Sequence, residues 1–150
     1  MPKTSEKRFL PYTARQMYDL VADIERYPEF LPWTAAARIR SRTDLGDHEV
    51  VEADLVISFK VFRERFGSRV VLWPEKYRIE TDYLDGPFKY LHSHWVFTDC
   101  KDGCEVDFAV DFEFRNVILQ KVIGVVFNEA MNRIVQAFEA RAKALYGAPA

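Results

Sequence analysis

Acid–base, nucleophilic and metal chemistry each need particular side chains brought together. This chain of 150 residues offers few of them, with two cysteines and three histidines. Cys100 and Cys104 stand in Asp99-Cys100-Lys101-Asp102-Gly103-Cys104, a single C-x3-C. Structural zinc takes four Cys or His ligands in spaced pairs, so this pair makes no metal centre by itself. Flanking a hairpin turn, the two thiols are within reach of a facultative disulfide, which a reducing compartment disfavours. His92 and His94 have the opposite strand parity to Leu91, Trp95 and Phe97 and point away from an apolar interior, while His48 sits at a turn. Tyr77 and Tyr83 have inward parity. Glu64 faces inward beside Phe62 and Phe66 if the irregular stretch around it keeps its alternation. General acid–base catalysis needs such groups paired against a substrate. No Ser-His-Asp, Cys-His or metal-ligand constellation is present, so neither catalysis nor a metal is expected.

Cations are the other functional class. Arg38, Arg40 and Arg42 alternate along one strand and share its wet face, and Arg63, Arg65 and Arg69 lie on another segment. RNA binding wants clustered cations, often with exposed aromatics for stacking. Glu52, Asp54, Glu80 and Asp82 alternate nearby, and cross-strand pairing with them would neutralise the arginines. The formal charge is −2, from 21 basic and 23 acidic residues. That balance argues against wholesale wrapping of nucleic acid, and DNA is not an expected partner.

One domain, 1–150, must position these groups. With 49% hydrophobic and 15% aromatic residues the chain is too apolar for disorder. A domain of this length buries roughly 68–70% of its unfolded surface and needs no staple. Residues 3–10 read as a strand ended by Pro11. Thr13 caps a helix over 14–24, with Met17, Leu20, Val21 and Ile24 at helical spacing. Tyr27-Pro28-Glu29-Phe30-Leu31-Pro32-Trp33 then forbids a continuing helix and forms an aromatic connector.

From 33 to 114 the period is two. Ala35, Ala37 and Ile39 oppose the arginines. Val51, Ala53, Leu55, Ile57 and Phe59 oppose Glu52, Asp54 and Ser58. Tyr77, Ile79, Thr81 and Tyr83 form one face, as do Val106, Phe108, Val110, Phe112 and Phe114. Such alternation marks about six antiparallel strands with one wet and one dry face. Gly67 suggests a bulge or bend. A long helix follows, capped by Asn116 and stopped near Gly147, with Ile123, Val126, Phe127, Ala130, Ile134, Ala137, Phe138 and Leu145 in one stripe. The fold class is α+β, a curved antiparallel sheet of about seven strands around the C-terminal helix. No run reaches the roughly 18 apolar residues of a membrane span, and the polar start, Met1-Pro2-Lys3-Thr4-Ser5, lacks a signal peptide's apolar stretch. A cytoplasmic protein is expected, with the inner-membrane surface as its place of peripheral contact.

Tyr27 to Trp33, then Gly86-Pro87-Phe88, Leu91 and Trp95-Val96-Phe97, and finally Ala137-Phe138-Glu139-Ala140-Arg141-Ala142 with Leu145-Tyr146-Gly147, resemble the coenzyme-Q-binding branch of the START-like, helix-grip superfamily. The resemblance runs over essentially the whole chain, and Tyr27 to Trp33 is its most specific part. Several members carry Cys next, where this chain has Thr34, which removes thiol chemistry from that position. The resemblance implies an apolar cavity between sheet and helix. It also implies a polyprenyl quinone (ubiquinone) as bound ligand with no other cofactor, and a role in respiration. Bacterial relatives are labelled ribosome-association toxins, so the large ribosomal subunit is the alternative partner and a block of translation initiation the alternative function. Polyketide cyclases are further relatives.

The expected cavity lining is Leu55, Ile57, Phe59, Val70, Leu72, Leu91, Trp95, Phe97, Val106, Phe108 and Val110 from the strands, with Ile123, Val126, Phe127, Ala130 and Ile134 from the helix. Tail inside and head group near the mouth is the expected pose. Val117, Ile118, Val122 and Val125 make the helix start apolar nearly all round. A pocket lip touching membrane, a dimer contact and cover by a loop are all consistent with such a cluster. Lys121 within it is placed to address lipid phosphates. Phe30 and Leu31 are read as a rigid lip or as core packing, and Trp33 as a structural plug.

Overall fold

The computed structural model describes residues 3–59 and 62–147, with the side chains of 3, 4, 59 and 62 outside the described set. Strand β1 (Lys3–Leu10) leads into helix α1 (Ala14–Ala22) and a 3-10 helix (Ile24–Glu29). Six strands follow: β2 (Thr34–Asp44), β3 (Glu49–Phe59), β4 (Phe62–Trp73), β5 (Arg78–Asp85), β6 (Phe88–Cys100) and β7 (Gly103–Phe114). Helix α2 (Val117–Tyr146) ends the fold. The strands form one antiparallel curved sheet in the order β1-β7-β6-β5-β4-β3-β2, the α+β class that the alternation implied, in the helix-grip form that the resemblance implied.

Helix α1 starts where expected. Thr13 and Gln16 form a capping box, and the Ala14 N–H donates to Asp99 at 2.8 Å, tying the helix start to β6. Met17, Leu20 and Val21 are buried with Val51, Leu72, Ile79 and Phe97, so α1 covers one part of the dry face. The helix stops at Ala22 rather than Ile24. In a continued α-helix Pro28 would clash with the Ile24 carbonyl. The chain tightens instead into 3-10 turns, with the Arg26 N–H on the Asp23 carbonyl at 3.2 Å, and the first half of the expected irregular connector is helical.

Two register shifts in β2 revise its faces. The shift between Thr34 and Ala36 leaves Ala35 exposed instead of inward. The one between Ile39 and Ser41 inserts Arg40 as an extra residue, so Arg42 lies opposite Val51, a dry-face residue. Arg38 lies opposite Asp54 on the wet face. Arg38 and Arg42 therefore do not share a face, because a one-residue bulge reverses the alternation beyond it. Tyr77 precedes β5 rather than opening it: it has φ of 49° in the turn, and its carbonyl accepts from the Phe97 N–H at 3.0 Å.

On the wet face Asp54 is only 7% exposed. Arg40 bonds it at 2.6 and 2.9 Å, and Arg65 and Arg38 also reach it. Arg40 and Arg65 extend to Asp85. Gly67 makes room: a Cβ there would meet the Arg40 guanidinium at 2.5 Å and Asp85 at 2.9 Å. The β4–β5 register shift falls at this glycine, as its position suggested.

Helix α2 is capped by Asn116, whose side chain accepts from the Ile118 and Leu119 N–H groups at 2.9 and 3.0 Å, and it closes at Gly147 with φ of 80°. Its last buried line runs through Phe138 and Ala142, and Tyr146 donates to the Gln16 carbonyl of α1 at 2.9 Å. Four-residue steps along that line leave Leu145 in solvent, outside the stripe that was to bury it.

The hydrogen bond from Arg40, then that from Arg65, holds the Asp54 carboxyl at about 2 against the opposing effect of burial. A pKa lowered on folding stabilises the folded chain above the ordinary carboxylate range, and that stability fades as pH falls from about 4 toward 2. Asp54→Asn is expected to cost on the order of 1–2 kcal/mol at pH 7, since solvent at the site tempers the shift. Urea titrations of both proteins should show the difference shrinking below pH 4. A gap that stays constant from pH 7 to 2.5 would exclude this account.

Candidate ligand cavity between sheet and helix

Helix α2 approaches the sheet backbone along β7 and meets α1 near its C-terminal end. Between its first half and the sheet lies a partly open cavity of about 220 Å³ whose surface is entirely apolar. Its helix side is Leu119, Ile123, Ala130, Met131 and Ile134, and its sheet side includes Ile57, Leu91, Val110, Phe112 and Phe114. The aromatic wall is held by Phe88, which is fully buried. Its ring stacks on Phe114 at 4.5 Å and meets Phe66, Tyr83 and Phe112 edge-on at 5.2, 5.5 and 5.8 Å. Aromatic pairs at these separations contribute about 0.5–1.5 kcal/mol each beyond their area burial, which favours this arrangement of the wall. Glu64 also borders this chamber, from the inward position expected of it, and lends its aliphatic stem to the apolar surface.

A second chamber of about 190 Å³ adjoins the first, sharing Phe66, Leu91 and Val110 with it. Leu31, Leu55, Val70, Ile79, Trp95, Phe108 and Phe138 surround it, with the hydroxyl residues Ser68, Thr81 and Ser93 on β4 to β6 and Tyr27 and Thr34 at its border. Each chamber alone falls below the roughly 300–1,000 Å³ of ordinary ligand pockets, and the two together lie within that range.

Of the residues expected to line a cavity, Ile57, Leu91, Val110, Ile123, Ala130 and Ile134 border the first chamber. Leu55, Val70, Leu91, Trp95, Phe108 and Val110 border the second. Leu72 and Phe97 border neither: both belong to the core that α1 seals, with Phe97 edge-on to Tyr18 at 6.5 Å. Val106 lines only a small void of about 30 Å³ beside Trp95 and Phe138. Phe127 is buried against Phe112 at 5.7 Å and Val126 is half-buried, and neither borders a chamber. The side chain of Phe59 lies outside the described residues. Parity identified the dry face correctly, and α1 decided which part of it is sealed.

Trp33, read from sequence as a plug, borders the first chamber with φ of 62°. Its carbonyl accepts from the Ser58 N–H at 2.8 Å. A bulky residue in the left-handed region is uncommon and persists only where its surroundings enforce it. Phe66, Phe88, Leu119 and Met131 are lining or wall residues that the sequence reading did not single out. Inward parity with Glu64 was a usable signal for Phe66. The four-residue step from Leu119 to Ile123 was one for the helix.

Val117, Ile118 and Val125 are 66%, 67% and 86% exposed, Lys121 is exposed and Val122 is half-buried. The two turns of α2 that line the first chamber through Leu119 and Ile123 thus present apolar side chains outward as well. Phe30 and Leu31 belong elsewhere. Phe30 packs on Phe138 at 5.4 Å under the Arg141 guanidinium, and Leu31 borders the second chamber. Phe138 stands about 20 Å along the helix from Val125 at 1.5 Å per residue, so these residues form no common lip.

The histidines and the thiols border neither chamber. His92 pairs with Asp82 at 2.7 Å, His94 approaches Asp107 at 3.7 Å, and His48 stacks on Trp73. Cys100 is exposed and Cys104 buried, both as free thiols, and burial pushes the Cys104 thiol up to about 11. Among the described residues no three His, Cys, Asp or Glu side chains are grouped to hold a metal ion. None of the described helices is long and apolar enough to cross a membrane.

Residues 10–139 match the family described as polyketide cyclase / dehydrase and lipid transport. The chain belongs to this family. It is 42% identical over 139 residues to the ribosome association toxin RatA of Rickettsia prowazekii, covering 91% of this chain and 92% of that one. It is 32% identical over 148 residues to the coenzyme Q-binding protein COQ10 homolog B, mitochondrial, of Xenopus laevis, covering 95% of this chain and 59% of that protein. A START superfamily protein from Mycobacterium smegmatis superposes with a TM-score of 0.79 at 18% identity, over 95% of this chain and 98% of that one, and shares the fold. In this family member, Ala130→Phe is expected to fill part of the first chamber while leaving the circular dichroism spectrum intact. Displacing about two methylenes of a bound neutral probe such as diphenylhexatriene lowers affinity roughly tenfold. Unchanged probe binding would show that the chamber is not where such molecules go.

Proposed function

We propose that this protein is a non-catalytic carrier for a polyprenyl quinone of the coenzyme Q type, supporting respiratory electron transport at a membrane surface. The observation that carries the reading is the apolar chamber directly behind the exposed apolar turns of α2. Each methylene buried contributes about 0.8 kcal/mol, so even a few isoprene units give useful affinity. The outward Val117, Ile118 and Val125 would rest in the lipid interface with Lys121 at head-group level, letting ligand pass without crossing water. The name of the Xenopus relative, a coenzyme Q-binding protein, agrees with this ligand class. The placement of all three histidines outside the cavity agrees with carriage rather than chemistry. An organic extract of detergent-free protein should contain quinone near one per chain by mass spectrometry. Ile118→Lys with Val125→Lys should abolish liposome binding and slow quinone exchange. Wild-type exchange rates in a folded double variant would end the lip proposal.

Association with the large ribosomal subunit is the second reading, favoured by the name of the Rickettsia relative and by one surface. Arg38, Arg63, Arg65 and Arg69 are exposed around the Asp54 cluster, with Arg38 78% exposed along its side chain. Arg40 is held between Asp54 and Asp85, and Arg42 pairs with Glu49 on the other face, so neither is available. This reading predicts salt-sensitive co-sedimentation with the subunit that Arg38→Glu, Arg63→Glu and Arg69→Glu together abolish. Unaltered co-sedimentation would remove this surface from consideration.

A further inference from the structure

The wet face pairs most of its charges, while the second chamber holds polar groups that nothing satisfies. Ser68 on β4, Thr81 on β5 and Ser93 on β6 all border it. Thr81 lies directly opposite Ser93, and Ser68 lies opposite Tyr83, two residues along β5 from Thr81. The three hydroxyls therefore cross three neighbouring strands on the dry face, Thr81 and Ser93 as an opposite pair about 5 Å apart and Ser68 and Thr81 as a diagonal pair about 7–8 Å apart. Among the described residues, none of the three hydroxyls has a hydrogen-bond partner. No fully enclosed side-chain nitrogen or oxygen there lacks one either. The hydroxyls accordingly open into the chamber, even though Ser68 as a residue is only 2% exposed.

In a partly open chamber walled mostly by apolar side chains, these hydroxyls keep hydrogen-bonding capacity that alanine or valine in the same places would lack. Their row has a chemical meaning if a ligand completes it. The second chamber has no Asp, Glu, Lys, Arg or His on its wall, so a phosphate or carboxylate head would find no counter-ion among its lining residues. A neutral head bearing carbonyl or ether oxygens meets hydroxyl donors there instead. The first chamber, wholly apolar and reached through Phe66, Leu91 and Val110, suits the tail.

We propose that Ser68, Thr81 and Ser93 form the head-group subsite of the cavity. A neutral amphiphile binds head-first, its ring oxygens accepting hydrogen bonds from these hydroxyls, and its tail runs through the first chamber toward the exposed turns of α2. The pose reverses the head-at-the-mouth arrangement expected from sequence, and it rests on the carrier reading above.

The test compares a ubiquinone bearing a decyl tail with decylbenzene, which has the tail and no oxygen, and with decanoate. Thr81→Val with Ser93→Ala should weaken the quinone about tenfold, the value of one or two hydrogen bonds, and leave decylbenzene unchanged. The infrared carbonyl stretch of bound quinone should rise toward its value in hydrocarbon. Ser93→Ala alone should give part of that rise in a protein whose unfolding midpoint is close to wild type. Decanoate should bind less tightly than the quinone. If quinone and decylbenzene both bind and the double variant changes neither their ratio nor the carbonyl stretch, the subsite is wrong and carriage stands. If decanoate binds as tightly as the quinone, the neutral-head selectivity is wrong. If wild type takes up none of the three probes, carriage itself falls and the subsite with it.

Discussion

Seven strands at about 4.8 Å spacing make a dry face close to 30 Å across, whereas a helix with its side chains is only about 10–12 Å wide. One helix cannot cover such a sheet, and the rest of the structure follows from how two helices divide it. Helix α1 and the 3-10 turns seal the region of Val51, Leu72, Ile79 and Phe97. Helix α2 is fixed to α1 through Ala142 and Tyr146 and lies close to β7. The dry surface left between them is lined rather than filled. Large rings packed on one another give that lining its stiffness, with Phe88 at the centre of contacts to Phe66, Tyr83, Phe112 and Phe114.

The opposite face does different work. Asp54 is buried under guanidinium groups from β2 and β4, and Gly67 admits the Arg40 side chain to both Asp54 and Asp85. This cluster ties the bulged edge strand β2 to β3, β4 and the end of β5 through Asp54, Arg65 and Asp85. The same bulge that extends Arg40 toward Asp54 turns Arg42 to the other face. A surface that reads in sequence as a cationic stripe is in the fold largely an internal salt-bridge network, which lowers its value as a nucleic-acid interface and raises its value as a clamp on the sheet.

Legibility differed by element. Helix α2, its Asn116 cap and its Gly147 stop follow from a 3.6-residue stripe and two capping residues. The strands follow from alternation, and β7 from Val106 to Phe114 is the plainest. The α1 boundary failed because Pro28 acts four residues upstream of itself, at Ile24. Tyr77 failed because a left-handed turn residue can share the parity of the strand that follows it. Phe30 and Leu31 stayed open between lip and core packing in the sequence, since nothing local measures the roughly 20 Å between Val125 and Phe138 along the helix.

Periodicity and capping are properties of a few consecutive residues, so the sequence by itself determined most elements, their order, and, outside the bulged β2, which side of each strand is dry. Whether a dry residue is sealed core or cavity wall depends on which distant element lies over it. Only the tertiary structure could separate Leu72 and Phe97 from Leu91 and Ile123 for that reason. The same holds for the row of Ser68, Thr81 and Ser93. Each is an unremarkable strand hydroxyl in sequence, and they come to border one chamber only when β4, β5 and β6 pair in register beneath Tyr27 and Phe138.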